Sequence, residues 1–162
     1  MPDLANGKDV AILPTNEEFR TIIETIDEAN RKGVEVGGHK LWGADNVVRW
    51  DDGTQPELRG HGQSEHMVRS INLFQKDNER TSDPVCWMKF YWHVHPLDKY
   101  NIYAGSDSPS TGDKKKDNKV REYGYSGTTM VIGGRTNHMS FYFKWHVVKS
   151  VSIASILDLI NR

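Results

Sequence analysis

Over residues 85–95 the chain alternates with a period of two: Cys86, Met88, Phe90, Trp92 and Val94 are apolar, while the odd positions include Lys89, Tyr91, His93 and His95. Successive side chains of a strand point to opposite faces, so this stretch predicts a strand with one face in a core. Its other face carries two imidazoles side by side at the C-terminal end. Whatever fold the chain adopts must cover the first face and find a use for the second.

The sequence supplies a cover. Thr15 and Glu18 have the spacing of a capping box, and Phe19, Ile22, Ile23, Ile26 and Ala29 then recur with the period of a helix lying on a core. Arg31, Lys32 and Gly33 end that helix with basic residues in its last turn and a glycine C-cap. A second apolar stripe, Ile153, Ile156, Leu157 and Ile160, predicts a C-terminal helix. Strands are expected at 10–13, 34–42, 46–50, 67–74, 128–132 and 139–147, and a short charged, solvated helix at 114–122. Asp51-Asp52-Gly53 and Gly133-Gly134 read as turns. The expected class is α+β (α/β-like), a mixed sheet packed between the N-terminal and C-terminal helices, with residues 1–162 forming one domain.

Composition narrows the function. The 21 basic and 22 acidic residues leave a net charge of −1, without the basic excess expected of a nucleic-acid binder. No stretch has the ~18 apolar residues of a membrane span. The N-terminus lacks a signal-peptide pattern, which predicts a cytoplasmic protein. The single cysteine, Cys86, excludes an intramolecular disulfide and a thiolate-rich zinc finger, and its place on the apolar face predicts an inert buried thiol.

His93 and His95, at i and i+2 of one strand, can present both rings to one ion. Zinc takes such nitrogen ligands with a carboxylate as the third, leaving the fourth position open in catalytic sites. Asp113 suits that third role. Ser110 has the position of an N-cap for a short helix, which puts Asp113 at N3, beside the Ser110 hydroxyl. His61, His66, His138 and His146 have no partner motif, and His39 reads as an ordinary strand histidine near the site.

His93-Val94-His95-Pro96 followed by Ser110-Thr111-Gly112-Asp113 resembles the JAMM (JAB/MPN) zinc metalloprotease family, whose signature is an early Glu, then His-x-His-Pro, then Ser-x-x-Asp. The family's Glu follows the first helix in a Glu-x-x-Gly segment, here matched by Glu35 and Gly38. The resemblance implies an MPN-like fold with cytidine-deaminase-like layering, and Zn2+ held by His93, His95 and Asp113. It also implies Glu35 as general base and Ser110 as a hydrogen-bond donor to the developing oxyanion. The implied activity is hydrolysis of an amide bond in a protein or peptide, as a peptidase or isopeptidase.

The 97–109 segment between the motifs is longer than the family's usual gap, making Ser106, Ser108 and Asp107 rivals. Only Ser110 and Asp113 combine Ser-x-x-Asp with a preceding proline. Tyr100, Ile102 and Tyr103 suggest a flap over the cleft. A weaker similarity, in residues 7–19 and in size, is to JAB-type domains of bacterial polymorphic toxins. That would mean export as part of a longer toxin and an immunity protein as partner. Two other functions compete: a non-catalytic MPN-type scaffold, which would have no need of all five site residues, and a metal-dependent nuclease toxin, which would favour carboxylate ligands and a basic surface.

Overall fold

A computed structural model describes residues 13–51, 87–98 and 104–162. The strands expected at 10–13 and 67–74 fall wholly or largely outside these residues, as do Cys86, His61 and His66. Helix α1 (Asn16–Lys32) starts at the expected box: the Thr15 hydroxyl accepts from the Glu18 N–H while the Glu18 carboxylate accepts from the Thr15 N–H. It stops at Gly33, whose φ of 69° is the left-handed conformation that glycine enters without a Cβ penalty. Phe19, Ile22, Ile26 and Ala29 are buried along one face.

The strands are β1 (Val36–Leu41), β2 (Val48–Asp51), β3 (Met88–His95), β4 (Thr128–Gly133), β5 (His138–Phe143) and β6 (His146–Ser152). They form one mixed sheet in the order β2-β1-β3-β4-β5-β6, antiparallel except where β3 and β4 run parallel. The parallel pair requires a crossover, and helix α2 (Thr111–Glu122) lies within it. Helix α3 (Ile153–Ile160) closes the chain.

The terminal helices do not take opposite faces, contrary to the sequence expectation. Ile22 and Ile26 of α1, Ile153, Ile156 and Ile160 of α3, and Phe90, Trp92 and Val94 of β3 all share one core. The Arg20 guanidinium donates to the Ile160 carbonyl at 2.9 Å, tying the two helices together. Helical periodicity reveals that a stripe must be buried but not against which sheet face. The opposite face is covered by α2, which buries Asp117 completely. That helix is thus less solvated than its charge run suggests. Asp117 accepts from the Tyr91 and Thr129 hydroxyls, both at 2.6 Å, and from the Arg121 guanidinium at 2.7 Å. A buried carboxylate survives only when paired and hydrogen-bonded: Arg121 pairs it from within α2, while the Tyr91 and Thr129 hydroxyls pull the helix onto the sheet.

Two further expectations change. The strand expected over 139–147 is a hairpin, with β5 and β6 joined at Lys144 and Trp145. Lys144 has a φ of 54°, uncommon for a side-chain-bearing residue, and its N–H is held by Asp117 Oδ2 at 2.6 Å. The alternation of β3 also slips at its start. The pairing with β1 skips Lys89, a bulge that puts Met88 with Tyr91 and Tyr125 instead of with Phe90.

Candidate metal centre

From Phe90 onward the alternation holds, so Tyr91, His93 and His95 share the face covered by α2. His93 is fully buried and the His95 side chain is 21% exposed. The two Nε2 atoms are 3.1 Å apart. Asp113, on the first turn of α2, brings Oδ2 to 3.0 Å from His93 Nε2 and 3.3 Å from His95 Nε2. Three ligand-type atoms from a strand and a helix therefore converge on one point. The ligand atoms of Glu35, His93 and His95 also lie within 4.8 Å of one another.

Each side chain is positioned by local chemistry. Ser110 caps α2 as expected: its hydroxyl accepts from the Asp113 N–H at 3.1 Å, and its own N–H donates to Asp113 Oδ2 at 2.8 Å. The cap thus aims the oxygen that meets both histidines. Glu35 is not within β1 but immediately before it. Val36 pairs with Val94 and Gly37 with His93, so continuing that register places Glu35 beside His95. Val36 is buried in the core on the other face, as expected for its alternation with Glu35.

Gly37 has a steric reason to be glycine. A Cβ there would stand 2.3 Å from the Trp92 carbonyl oxygen and 2.7 Å from the Trp50 ring. The room at Gly37 and Gly38 is taken by this chain's own backbone and indoles, not left for a substrate. His39 is fully buried beyond them, and among the described residues neither ring nitrogen has a hydrogen-bond partner. Burial lowers its pKa to about 4, so it is a neutral core residue.

The hydrogen bonds constrain the tautomers. His95 Nδ1 lies 2.8 Å from the Ser106 carbonyl, which can only accept, so Nδ1 carries the proton and neutral His95 offers a lone pair at Nε2. Among the described residues His93 Nδ1, which is buried, has no partner. Burial works to raise the Asp113 pKa, but hydrogen bonds with His93 and His95 and from the Ser110 N–H hold it far below the usual carboxylate range. Burial likewise disfavours charge on His95, yet the Asp113 carboxylate and the Ser106 carbonyl raise its pKa. An ionised carboxylate and two imidazole nitrogens at mutual contact form a donor set that suits a cation.

The rivals separate cleanly. Asp107 turns away from the histidines and accepts from the Ser140 and Ser150 hydroxyls at 2.8 and 3.0 Å. Ser108 is exposed, and Ser106 serves through its backbone carbonyl. Sequence reasoning missed that carbonyl, because a backbone acceptor leaves no signature in residue type. Residues 104–109 of the expected flap are stitched to the β4–β5 turn. The Gly105 carbonyl accepts from the Arg135 and Thr136 N–H groups at 3.0 and 3.3 Å. The aromatic part of that segment, residues 99–103, lies outside the described residues.

A cleft of about 970 Å³ borders His95 and runs between the end of α1 and the 104–106 segment. Among the described residues no helix is long and apolar enough to cross a membrane. Comparison with known protein families, with curated proteins and with solved structures found no match for this chain.

Proposed function

We propose that this chain is a zinc-dependent hydrolase of amide bonds, acting on a protein or peptide with the JAMM arrangement of residues. One observation carries the reading. His93 Nε2, His95 Nε2 and Asp113 Oδ2 meet within 3.0–3.3 Å of one another, and a Glu35 carboxylate oxygen lies within 4.8 Å of a ring nitrogen of each histidine. Two imidazoles and one carboxylate are the three-ligand set of a catalytic zinc site, which keeps one position for water. When bound, zinc would supply Lewis acidity and lower the pKa of that water toward neutrality.

The chain's own residues divide the remaining work. His93, His95 and Asp113 hold the ion. Glu35 is a carboxylate near the ligands but outside the three-atom contact, suited to take a proton from the attacking water and return it to the leaving amine. The Ser110 hydroxyl oxygen accepts from the Asp113 N–H, leaving its own proton to donate to an oxyanion.

The test has two parts. Reconstituted protein should hold about one zinc per chain, and His93→Ala/His95→Ala should hold none. Glu35→Gln should keep the zinc and lose about 100-fold or more in turnover of a peptide or isopeptide substrate, the scale of a positioned acid–base group. Elemental analysis without zinc would reject the reading. So would full activity in Glu35→Gln.

A further inference from the structure

The ligand His95 depends on the Ser106 carbonyl, so whatever fixes that carbonyl also fixes the ligand. Ser106 lies between two anchors. On one side the Gly105 carbonyl is held by the β4–β5 turn, and the Arg135 guanidinium donates to the Ala104 carbonyl at 2.9 Å. On the other side the Asp107 carboxylate accepts from Ser140 on β5 and Ser150 on β6, residues 33 and 43 positions further along the chain. Burial works to raise the Asp107 pKa, but the hydroxyls, Ser140 first, hold it below its usual value.

Gly133 makes the approach possible. It is the cross-strand partner of His95, and a Cβ there would stand 2.5 Å from the Gly105 oxygen and 2.7 Å from the Asp107 nitrogen. The missing side chain opens the gap through which the segment comes down beside His95.

We propose that Asp107 is a positioning residue for the metal centre: it buckles the 104–110 segment onto β5 and β6, so that the Ser106 carbonyl fixes the tautomer and ring plane of His95. The metal part rests on the reading above; the control of His95 does not. Groups that orient a ligand histidine through its second nitrogen typically carry 10–100-fold of metal affinity. Asp107 would do this at one remove, through a neighbouring carbonyl.

The experiment compares Asp107→Ala, Asp107→Asn and Thr15→Ala, the last a destabilised control far from the segment. Zinc affinity is measured by competition with a chromophoric chelator. The His95 tautomer is read by ¹⁵N NMR on metal-free protein at mildly alkaline pH. Asp107→Ala should weaken zinc about 10–100-fold and turn a single Nδ1–H form of His95 into a mixture. Asp107→Asn keeps one acceptor oxygen and should recover part of both, and Thr15→Ala should change neither.

A folded Asp107→Ala protein with unaltered zinc affinity and an unaltered His95 tautomer would overturn the proposal and leave Asp107 as a structural staple. If Asp107→Ala does not fold, Asp107→Asn decides, since a staple alone would lower its melting temperature and leave both readouts unmoved. Wild-type protein that binds no zinc, but whose His95 still loses its tautomer in the variants, would reject the metal reading and uphold the positioning role.

Discussion

Two helices of this chain begin with the same device and put it to different use. At the start of α1, Thr15 and Glu18 bond each other's N–H groups, and Glu18 also accepts from Lys89 Nζ at 2.9 Å. At the start of α2, Ser110 and Asp113 make the same reciprocal pair, but Asp113 meets two imidazoles. Both caps end on a side chain of β3. What differs is the partner the strand presents: a flexible ammonium in one case, a pair of rigid ring nitrogens in the other. A local capping rule therefore sets the orientation of a carboxylate, while the strand decides whether that carboxylate closes an ion pair or completes a ligand set.

The sharpest way to separate the two caps is to neutralise each carboxylate. Asp113→Asn should weaken zinc by more than about 100-fold, beyond the ~10–100-fold attached to outer-shell partners. Glu18→Gln should leave zinc affinity unchanged. Equal affinities in the two variants, measured by chelator competition, would erase the distinction.

Next come the hydroxyls. Ser110→Ala should lower turnover about 100-fold, the lower end for loss of an oxyanion donor, as well as costing cap stability. Thr15→Ala should cost about 1 kcal/mol in denaturant melts and nothing in turnover per folded molecule. Ser110→Ala with full turnover would make its hydroxyl a cap and no more.

The remaining effects are in pH and reach stability alone. The folded pKa of His39 is pushed down to about 4 by burial, from 6.5, so the unfolded chain binds the extra proton first. Stability should therefore decline as pH falls from about 6.5 to about 4 and gain no further loss from this group below that. His39→Leu should flatten that window, and by removing two nitrogens without a partner among the described residues it should cost little stability. Burial works to raise the Glu18 pKa, but the Thr15 N–H and Lys89 hold it below 4.5, so its contribution is present above that pH and lost as pH falls further. Urea melts across this range should show His39→Leu altering the upper window and Glu18→Gln the lower. A wild-type slope in His39→Leu between pH 4 and 6.5 would assign that window elsewhere.

These differences track what a sequence can express. Thr15, Glu18 and Gly33 set the bounds of α1 by local chemistry, and each is visible as a residue type. His93, His95 and Asp113 could be grouped because i, i+2 spacing and a capping register are both local. The shared face of α1 and α3 was not legible, because a stripe has no sheet face written into it. Lys144 hid a hairpin turn, since the residue that stabilises it, Asp117, is 27 positions away. Asp117 itself passed for surface charge. Its position four residues after Asp113 was the one local hint that α2 has a second carboxylate on the same side.

The β3–β4 pair has a kinetic consequence. Among the described strands it is the one parallel contact, and it cannot register until the chain has traversed residues 96–127. His93 and His95 arrive together with β3, but Asp113 reaches them only when that crossover is seated. If α2 docks after the rate-limiting barrier, an ion that needs all three finds its site only on the native side of it. It would lengthen the lifetime of the folded state without hastening its formation. Stopped-flow chevrons with and without zinc would show this as a lowered unfolding arm over an unmoved folding arm, whereas a raised folding arm would place α2 docking before the barrier.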